Sequence, residues 1–308
     1  MPPWTQDLGG VPVDLHALTQ FLAVARVEHL SRAAEELRVA QPSLSRSIAR
    51  LEAELGTPLF DRGGRLRLNE SGRVFRDHVE RALGELAAGR RAVAEAAGQG
   101  FGTVRLASET LLAFSGPLAA FKRDHPDVEM ELHQLSVEEM ARRLRAQEID
   151  LAVASLPVDA PGLESVLLLD EEVGLAVARG HPLAGRGPVA VADLAGEAFV
   201  AGRPGHWQRR LLERLFAGQG LTPRIVCEVD EAGTIAELIS ADLGVGLVPA
   251  IAHRTATRLP LTWVSIDHPG CRRTLTLSWG TGGRLPTAVR LLRDALAGWD
   301  WTGGGPRS

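Results

Sequence analysis

Near the start of the chain, hydrophobic residues recur at intervals of three and four positions, which is the spacing of one face of an α-helix. This pattern predicts three short helices in succession. Their predicted buried sides are Leu15, Leu18, Phe21, Leu22 and Ala25, then Leu30, Ala33, Ala34 and Leu37, and finally Leu44, Ile48, Leu51 and Leu55. Only Arg38, Val39 and Ala40 separate the second helix from the third, so we expect a tight turn there.

Polar and conformationally special residues mark the ends of these helices. Ser31 is the predicted N-cap of the second helix. Pro42 stands at the start of the third helix, where proline is tolerated, and Gly56 predicts its end. The side of the third helix opposite its apolar stripe carries Gln41, Ser43, Ser45, Arg46 and Arg50.

A hairpin and a long helix are predicted next. The turn Gly63-Gly64 precedes an alternation of charged and apolar residues over 65–68, which indicates a two-stranded hairpin. No proline occurs from Asn69 to about Ala97, which favours one long helix. Its heptad seam is Val79, Leu83, Leu86, Arg90, Val93 and Ala97, interrupted by Arg90. So short a seam fits a dimer interface or a helix packed on its own domain. Glycines at 98, 100 and 102 predict a hinge.

Beyond the hinge, short apolar strands alternate with helices, which is typical of an α/β sheet. The predicted strands are 103–107, 128–132, 150–154, 199–200, 224–229 and 246–248, and the predicted helices are 111–122, 137–147, 207–217 and 231–241. The segments EIDLAVASLP and ADLGVGLVPA look like equivalent helix-to-strand steps in two halves. We therefore predict two α/β subdomains with a cleft between them.

The composition agrees with an intracellular globular protein. At 308 residues the chain has room for about two domains. Its two cysteines, Cys227 and Cys271, are too few for a disulfide framework. No apolar run is long enough to span a bilayer, and the start of the chain shows no secretory signal. These features predict a cytoplasmic protein that is not associated with a membrane.

Charge is distributed unevenly along the chain. The formal net charge is -4, yet residues 38–76 carry eight arginines against four acidic residues, a local charge of +4 that leaves -8 for the remainder. Local positive charge on an acidic protein is expected of a nucleic-acid-binding surface. A solvated helical surface would show the same charge, so the charge alone does not decide.

The second and third helices have the layout of a helix-turn-helix motif, whose second helix enters the major groove. Gln can pair with adenine and Arg with guanine, at about 1–3 kcal/mol of discrimination per good pair. From these residues alone, an ordinary three-helix bundle with a polar face remains the alternative.

With the hairpin included, this region resembles the LysR-type transcriptional regulators. The resemblance rests on SRAAEELRVAQPSLSRSIARLEAELGTPLFDR, which starts at Ser31, and on RLRLNESG, which leads into the long helix. It continues more weakly through GTVRLA, FKRDHPDVEMEL, EIDLAV, HPLA and DLGVGLVP, and covers Asp14 to about Trp299. The chain departs from the family pattern at Ala40, where Ser or Thr is usual, and at Asn69, where Thr is usual.

The resemblance implies double-stranded promoter DNA as a partner, and a homodimer or homotetramer that pairs through the long helix. RNA polymerase is a further candidate partner. The motif positions carried over as DNA contacts are Gln41, Pro42, Ser43, Ser45, Arg46 and Arg50 in the reading helix and Arg62 and Arg65 in the hairpin, or wing. Ser31, at the start of the preceding helix, is included with them.

The resemblance also implies a periplasmic-binding-protein-like effector domain, in which the chain crosses between subdomains near Leu169 and Ile266. The matching effector-binding positions are Ser108, Glu109, Thr110, Ser155, Gly202, Arg203, Thr234 and Pro249. A small organic acid is one candidate effector, which Arg203 favours and Glu109 disfavours. Each of these residues is otherwise explained as a cap or turn residue without a ligand.

Together these patterns predict an α+β multidomain protein. The predicted limits are 14–72 for a winged helix-turn-helix domain, 73–98 for a linker and dimerisation helix, and 102–299 for the effector domain, with subdomain I at 102–168 and 267–299 and subdomain II at 169–266. The predicted function is sequence-specific transcriptional regulation modulated by a small molecule in the cleft. A DNA-binding or architectural protein without an effector is the alternative. In the family that this chain resembles, the first helix begins almost at the start codon, whereas here about a dozen coil-like residues precede Asp14. The resemblance therefore implies a natural start downstream of Met1, at Val13.

Catalytic and metal-binding motifs are not recognisable in the sequence. The nine histidines form neither HExxH nor a Cys/His metal spacing, and no G-x-S-x-G elbow occurs. We therefore predict neither an enzyme nor a bound metal or cofactor. A solute-binding protein would share the second part of the fold, but it would need a signal sequence and would lack residues 14–72.

Overall fold

The computed structural model describes residues 14–61, 63, 65–96, 102–155, 158, 162–255, 259–281, 285–303 and 305–306. The features predicted at Val13, Arg62, Gly64, Ala97, Gly98 and Gly100 lie outside these described residues. The chain divides near Arg90 into two compact units.

The first unit begins with the helices α1 (Leu15–Val27), α2 (Leu30–Leu37) and α3 (Gln41–Leu55). They enclose a hydrophobic core that contains Phe21 and Leu44, both at 0% exposure. The predicted apolar stripes are confirmed in their central parts. They are wrong at two outer ends, because Leu15 and Leu55 are 53% and 38% exposed. Both residues are at a helix terminus, beyond the width of this small core.

The ends of α2 and α3 are fixed by caps. The prediction of Ser31 as the N-cap of α2 is wrong, because the N-cap lies two residues earlier and Ser31 is within the first turn of the helix. The N-cap is His29, which has an extended backbone and whose Nδ1 accepts a hydrogen bond from the Arg32 N–H at 3.4 Å. Ala40 precedes α3 without a side-chain cap, and Gly56 ends that helix with a left-handed φ of 67°. The turn residues therefore act as predicted around α3 but not at the start of α2.

The predicted hairpin and long helix follow. Strands β1 (Phe60–Asp61) and β2 (Arg67–Leu68) pair antiparallel, and helix α4 covers Glu70–Ala96. Asn69 caps α4, since its Oδ1 accepts a hydrogen bond from the Gly72 N–H at 2.8 Å. The departure from the family pattern at this position thus preserves the cap.

The second unit is built on strands β3 (Thr103–Ser108), β4 (Glu129–Gln134), β5 (Leu151–Ala154), β6 (Leu163–Ala178), β7 (Ala198–Gly202), β8 (Arg224–Val229), β9 (Gly246–Pro249), β10 (Leu261–Val264) and β11 (Arg272–Gly280). The main sheet has the strand order β10-β6-β11-β5-β3-β4, and β9 pairs with β6. Strands β3, β4 and β5 are parallel, whereas β11 runs antiparallel to β5 and β6. Strands β7 and β8 pair in parallel, and the chain ends with the short pair β12 (Trp299–Asp300) and β13 (Gly305–Pro306).

The helices of this unit are α5 (Ser115–Asp124), α6 (Val137–Arg145), α7 (Trp207–Ala217), α8 (Ala232–Ser240), α9 (Ala250–Thr255) and α10 (Thr287–Ala297). The helix predicted at 111–122 is wrong at its start, where Leu112–Phe114 form a 3-10 turn before α5. The sequence pattern does not predict β6, β10, β11, α9, α10 or the short pair β12 and β13. The alternation of strands with helices is otherwise confirmed.

The second unit has two lobes, each with its own hydrophobic core. Lobe I packs around β3, β5 and α10, and lobe II packs around β7 and α7. Strand β6 passes from the core of lobe I to that of lobe II between Leu169 and Val173. The chain returns between Cys271 and Leu275, at the start of β11. Because β6 and β11 pair here, two adjacent antiparallel strands connect the lobes.

An ion-pair network lies on the surface of α6. Glu139 Oε1 is 2.9 Å from Arg142 Nη2 and 2.7 Å from Arg143 Nε, and Arg142 Nη2 is also 3.2 Å from Glu148 Oε2. The hydrogen bond from Arg142 lowers the pKa of Glu139 to about 2, although partial burial opposes the shift. The charged form of Glu139 is thus the one that the fold favours.

Acidification is therefore expected to weaken the fold through Glu139. Because its folded-state pKa is below the ordinary 4.5, its contribution is present above that pH and is lost as the pH falls from 4.5 to about 2. Glu139→Gln should make the free energy of unfolding fall less steeply over this range in urea denaturation at a series of pH values. Glu138→Gln is the matched control, since Glu138 has no ion pair within the described ranges. An equal change of slope in both variants would contradict this assignment.

Candidate functional site

The exposed side of α3 is the first candidate site. Leu44 and Ile48 are buried in the core of the first unit, so the polar residues of the helix lie outside the buried stripe. The exposed residues predicted as DNA contacts on this helix are Gln41, Pro42, Ser43, Arg46 and Arg50, and Ser45 is half-buried. This surface offers amide, hydroxyl and guanidinium groups at the spacing of a single helix, which suits the base edges of a major groove.

The two arginines on α3 make only weak contacts within the protein. Arg46 Nε donates to the Pro42 carbonyl oxygen at 3.3 Å, and Arg50 Nε lies 3.4 Å from Glu54 Oε1. Exposed contacts of this kind contribute little to stability, so either guanidinium can exchange them for a phosphate or a base. The start of α3, which has no side-chain cap, also leaves backbone N–H groups that favour anions.

Carboxylates from α1 and α3 hold the hairpin in place. Glu52 Oε1 accepts hydrogen bonds from the Leu59 N–H at 2.8 Å and the Phe60 N–H at 3.3 Å. Glu28, which follows α1, accepts one from the Leu68 N–H at 2.9 Å. The hairpin is therefore anchored from both strands, to α3 through Glu52 and to the end of α1 through Glu28.

The other predicted DNA contacts lie around α3. Arg65 is exposed on the hairpin, and Ser31 is exposed in the first turn of α2. Arg62 lies outside the described residues. Arg67, in β2, is exposed as well and adds a further positive charge to the hairpin.

A cavity of about 890 Å³ in the second unit is the second candidate site. Its wall includes Ala113 from lobe I and Trp207 at the start of α7 in lobe II, together with residues of α8, α9 and β10. It therefore lies between the two lobes. A concave, mostly apolar site of this size is typical of small-molecule binding.

The predicted effector residues separate into groups. Those in the cavity wall are Thr110, Thr234 and Pro249. Gly202 and Arg203, at the end of β7, are not in the wall. Arg203 Nε instead pairs with Asp230 Oδ1 at 2.6 Å, and both side chains are largely exposed.

Ser108, Glu109 and Ser155 form a buried cluster at the carboxyl ends of β3 and β5. Glu109 Oε2 accepts a hydrogen bond from the Ser155 N–H at 2.7 Å, and Ser108 Oγ accepts one from the Thr110 N–H at 3.3 Å. The parallel pairing of β3 and β5 brings these strand ends together. The carboxylate of Glu109 thus fastens one strand end to the other.

A buried ion pair beside the cavity is not predicted by the sequence pattern. Arg273 in β11 is directly opposite Glu171 in β6, its Nε donates to Glu171 Oε1 at 3.0 Å, and both side chains are at most 3% exposed. Glu171 Oε2 also accepts a hydrogen bond from the Ile251 N–H at 2.7 Å. The Arg273 guanidinium stacks over the Trp207 ring, 4.6 Å from its centroid. Arg273 and Trp207 both line the cavity.

Reactive groups are scarce around these sites. Burial raises the pKa of the Cys271 thiol to about 11, and its Sγ donates to the Val173 carbonyl oxygen at 3.0 Å, so it is a neutral structural thiol. In the parts of the chain that the structure describes, His, Cys, Asp and Glu form no group of three or more that could hold a metal ion. No helix in those same parts combines the length and the apolar character needed to cross a membrane.

Comparison with known protein families gives a match to each unit. The model of the bacterial regulatory helix-turn-helix protein, lysR family, matches residues 15–73. The model of the LysR substrate binding domain matches residues 97–300. The first match covers the helices and the hairpin, and the second covers both lobes.

Individual relatives match over nearly their whole length. The uncharacterized HTH-type transcriptional regulator YybE of Bacillus subtilis (strain 168) is 32% identical over 282 residues, 90% of this chain and 96% of that protein. The HTH-type transcriptional regulator CatR of Pseudomonas putida is 30% identical over 286 residues, 91% and 97% of the two chains. The crystal structure of full-length CbnR complexed with its target DNA has a TM-score of 0.58 at 26% identity and covers 92% of this chain and 99% of that one. The chain therefore belongs to the LysR family of bacterial transcriptional regulators.

Proposed function

We propose that this LysR-family regulator reads promoter DNA with α3, anchors on the phosphate backbone with its hairpin, and is modulated by a small molecule in the cavity between its lobes. The observation that carries the proposal is the exposed amide, hydroxyl and guanidinium face of α3, which lies opposite the buried stripe of the same helix. The protein acts by binding, without catalysis, in the cytoplasm. RNA polymerase is a candidate partner at the promoter.

The proposed contacts are those that the resemblance to the family implies. Base and phosphate contacts are assigned to Ser31, Gln41, Pro42, Ser43, Ser45, Arg46, Arg50, Arg62 and Arg65, and the domain limits are taken as 14–72, 73–98 and 102–299. A solved complex of CbnR, a related protein, with its target DNA supports promoter DNA as the partner. The local charge of +4 over residues 38–76 would attract DNA, while the acidic remainder would limit non-specific binding.

Effector control is proposed to act through the lobes. A ligand that contacts both lobes binds one lobe arrangement better than another and so shifts the population toward it. The two strands that connect the lobes, β6 and β11, meet beside the cavity at Glu171 and Arg273. The effector would thus bind beside the two strands on which the angle between the lobes depends.

The proposal is tested by measuring binding to DNA from immediately upstream of the protein's own gene and to a random fragment over a series of salt concentrations. Binding that stays selective at physiological salt is the expected result. Equal, steeply salt-dependent binding to both fragments would show phosphate contacts alone and would contradict base reading by α3.

Arg46→Ala is expected to weaken binding to the promoter by about 1–3 kcal/mol, because it removes a side chain able to make a bidentate base contact. Binding to random DNA should change much less. Arg123→Ala, which removes the same charge from an exposed position on α5, is the control and should leave the promoter preference unchanged. Fluorescence anisotropy on both DNA fragments measures the effect. Equal weakening on specific and random DNA would show that Arg46 contacts only phosphate.

Helix α4 is proposed to pair two chains. Val79 is buried in the core of its own unit, whereas Leu86 and Val93 of the same seam are 50% and 70% exposed. The beginning of the seam therefore packs within the first unit, and the later part is available to a second chain. A two-fold dimer would present two α3 helices to a partly palindromic site.

Leu86→Asp should shift the protein toward the monomer in sedimentation velocity, because it places a charge in the exposed apolar part of the seam. Ala88→Asp adds the same charge on the opposite side of α4 and is the matched control. A dimer that is unaffected by Leu86→Asp, or weakened equally by both changes, would place the interface elsewhere.

A further inference from the structure

The cavity wall combines aromatic rings with Arg273, whose charge is balanced by its ion-pair partner Glu171. We propose that the cavity binds an aromatic ligand without net negative charge, which presents a neutral hydrogen-bond acceptor, such as a carbonyl, to Arg273. This inference rests on the proposed function, since it names the chemical class of the effector.

Two tryptophans give the cavity its aromatic character. Trp207 and Trp263 are half-buried and line it from α7 and β10. The Trp263 indole lies flat against Gly174, where an added Cβ would be 2.2 Å from Cε2, and it packs on the His253 ring at a centroid distance of 4.9 Å. Trp263 is therefore held in one orientation by its neighbours. A fixed indole face beside an open volume suits a flat ring.

The buried guanidinium of Arg273 identifies the polar part of the ligand. Its Nε and Nη2 both bind Glu171, whereas Nη1 has no hydrogen-bond partner within the described part of the chain. The side chain is 2% exposed and lines the cavity. The guanidinium therefore has donor capacity left beside the cavity, and a ligand that places an acceptor there can bind it.

The acceptor group of the ligand is neutral because the Glu171 carboxylate already balances the charge of Arg273. A ligand carboxylate on Nη1 would share the guanidinium with the Glu171 carboxylate, and their repulsion would offset much of the attraction. The wall carries two arginines, Arg179 and Arg273, and two glutamates, Glu231 and Glu237. Their formal charges already sum to zero without Glu171. The wall thus has no excess of positive charge to attract an anion.

Arg203 does not change this balance. It is the residue that favours an organic acid in the sequence, but it is outside the cavity wall and is paired with Asp230. The charge near the cavity is therefore set by the wall residues Arg179, Arg273, Glu231 and Glu237 together with Glu171, and Arg203 adds nothing to it.

The test compares naphthamide with naphthoate, which have the same rings and differ in the charge of the group offered to Arg273. Ligand-observed NMR titration of the full chain gives both dissociation constants. We expect naphthamide to bind about tenfold more tightly than naphthoate. In Glu171→Gln the order should reverse, because the guanidinium then lacks its counter-charge. Trp263→Leu should weaken naphthamide, whereas Trp279→Leu, a tryptophan outside the wall, should not.

Naphthoate binding at least as tightly as naphthamide to the unmodified chain would overturn the proposal, as would no binding of either probe at millimolar concentration. Equal effects of Trp263→Leu and Trp279→Leu would place the probe elsewhere and overturn it too. If Glu171→Gln does not fold, the proposal is still tested by the preference of the unmodified chain and by the comparison of the two tryptophan variants. Probe binding is measured without DNA, so its failure is distinct from a failure to select promoter DNA.

Discussion

Phe21→Ala is expected to lower the free energy of unfolding of the first unit by about 3–5 kcal/mol. Phe21 in α1 is at 0% exposure, and its ring centroid is 5.7 Å from that of Phe60 in β1 and 5.2 Å from that of Phe75 in α4. The substitution would leave a cavity where α1, the hairpin and the long helix meet, and a packed core collapses only partly around such a cavity. Urea denaturation followed by far-UV circular dichroism measures the loss.

The control for this prediction lies on the same helix. Leu15→Ala, at a position 53% exposed, should change stability by no more than about 0.5 kcal/mol. Phe21→Ala should also weaken promoter binding at temperatures where the variant is partly unfolded, and cooling should restore it. A variant that remains as stable as the parent would show that the aromatic cluster is not a principal support of the DNA-binding unit.

The first unit can be predicted largely from the sequence because its determinants are local. The buried residues Leu44, Ile48 and Leu51 follow the helical period on a single segment, so no knowledge of distant partners is needed. The cap of α2 could not be predicted in this way. Both His29 and Ser31 are able to accept a backbone hydrogen bond, and the choice depends on which one has an extended backbone.

The second unit shows where local pattern fails. Strand β6 has the sequence LESVLLLDEEVGLAVA, whose acidic centre interrupts the apolar run. That centre is where the strand leaves lobe I for lobe II, so its two ends are buried in different cores and do not share one alternation. Lys122 is another example, because a lysine near the end of a helix is ordinarily a solvated side chain. Its Nζ instead donates to the carbonyl oxygens of Pro126 at 2.6 Å and Val128 at 2.7 Å, which closes the turn after α5.

The cavity wall depends on pairings between distant segments. Glu171 and Arg273 are 102 residues apart and meet only because β6 and β11 pair in one register. In the sequence each belongs to a charged run, DEE or RR, of the kind expected on a solvated surface. A buried charge is recognisable only when its partner is known, since burial without a partner is unfavourable. This is why the predicted effector residues include Thr110 and Thr234 from loop and helix starts but not Arg273.

Glu171→Ala is expected to lower the free energy of unfolding of the second unit by about 3–5 kcal/mol, because it leaves the Arg273 guanidinium buried without its counter-charge. The loss includes the hydrogen bond that Glu171 Oε2 accepts from the Ile251 N–H, which holds the start of α9. Both effects act where β6 and β11 connect the lobes, so the lobes should also become more mobile. Urea denaturation measures the stability, and hydrogen exchange at β6, β11 and α9 locates the change.

The neighbouring pair on the same two strands is a matched control. Arg272 Nε is 2.9 Å from Asp170 Oδ1, but these side chains are 44% and 48% exposed, so Asp170→Ala should cost no more than about 1 kcal/mol. The double variant Glu171→Leu with Arg273→Met should recover much of the stability, because two apolar side chains replace two charges that must be desolvated together. If Glu171→Ala were as mild as Asp170→Ala, the connection between the lobes would have to be held by apolar packing alone. The double variant should nevertheless lose the preference of the cavity for naphthamide. It keeps the shape of the connection between the lobes, but it removes the Arg273 guanidinium, which is the donor that would bind the ligand.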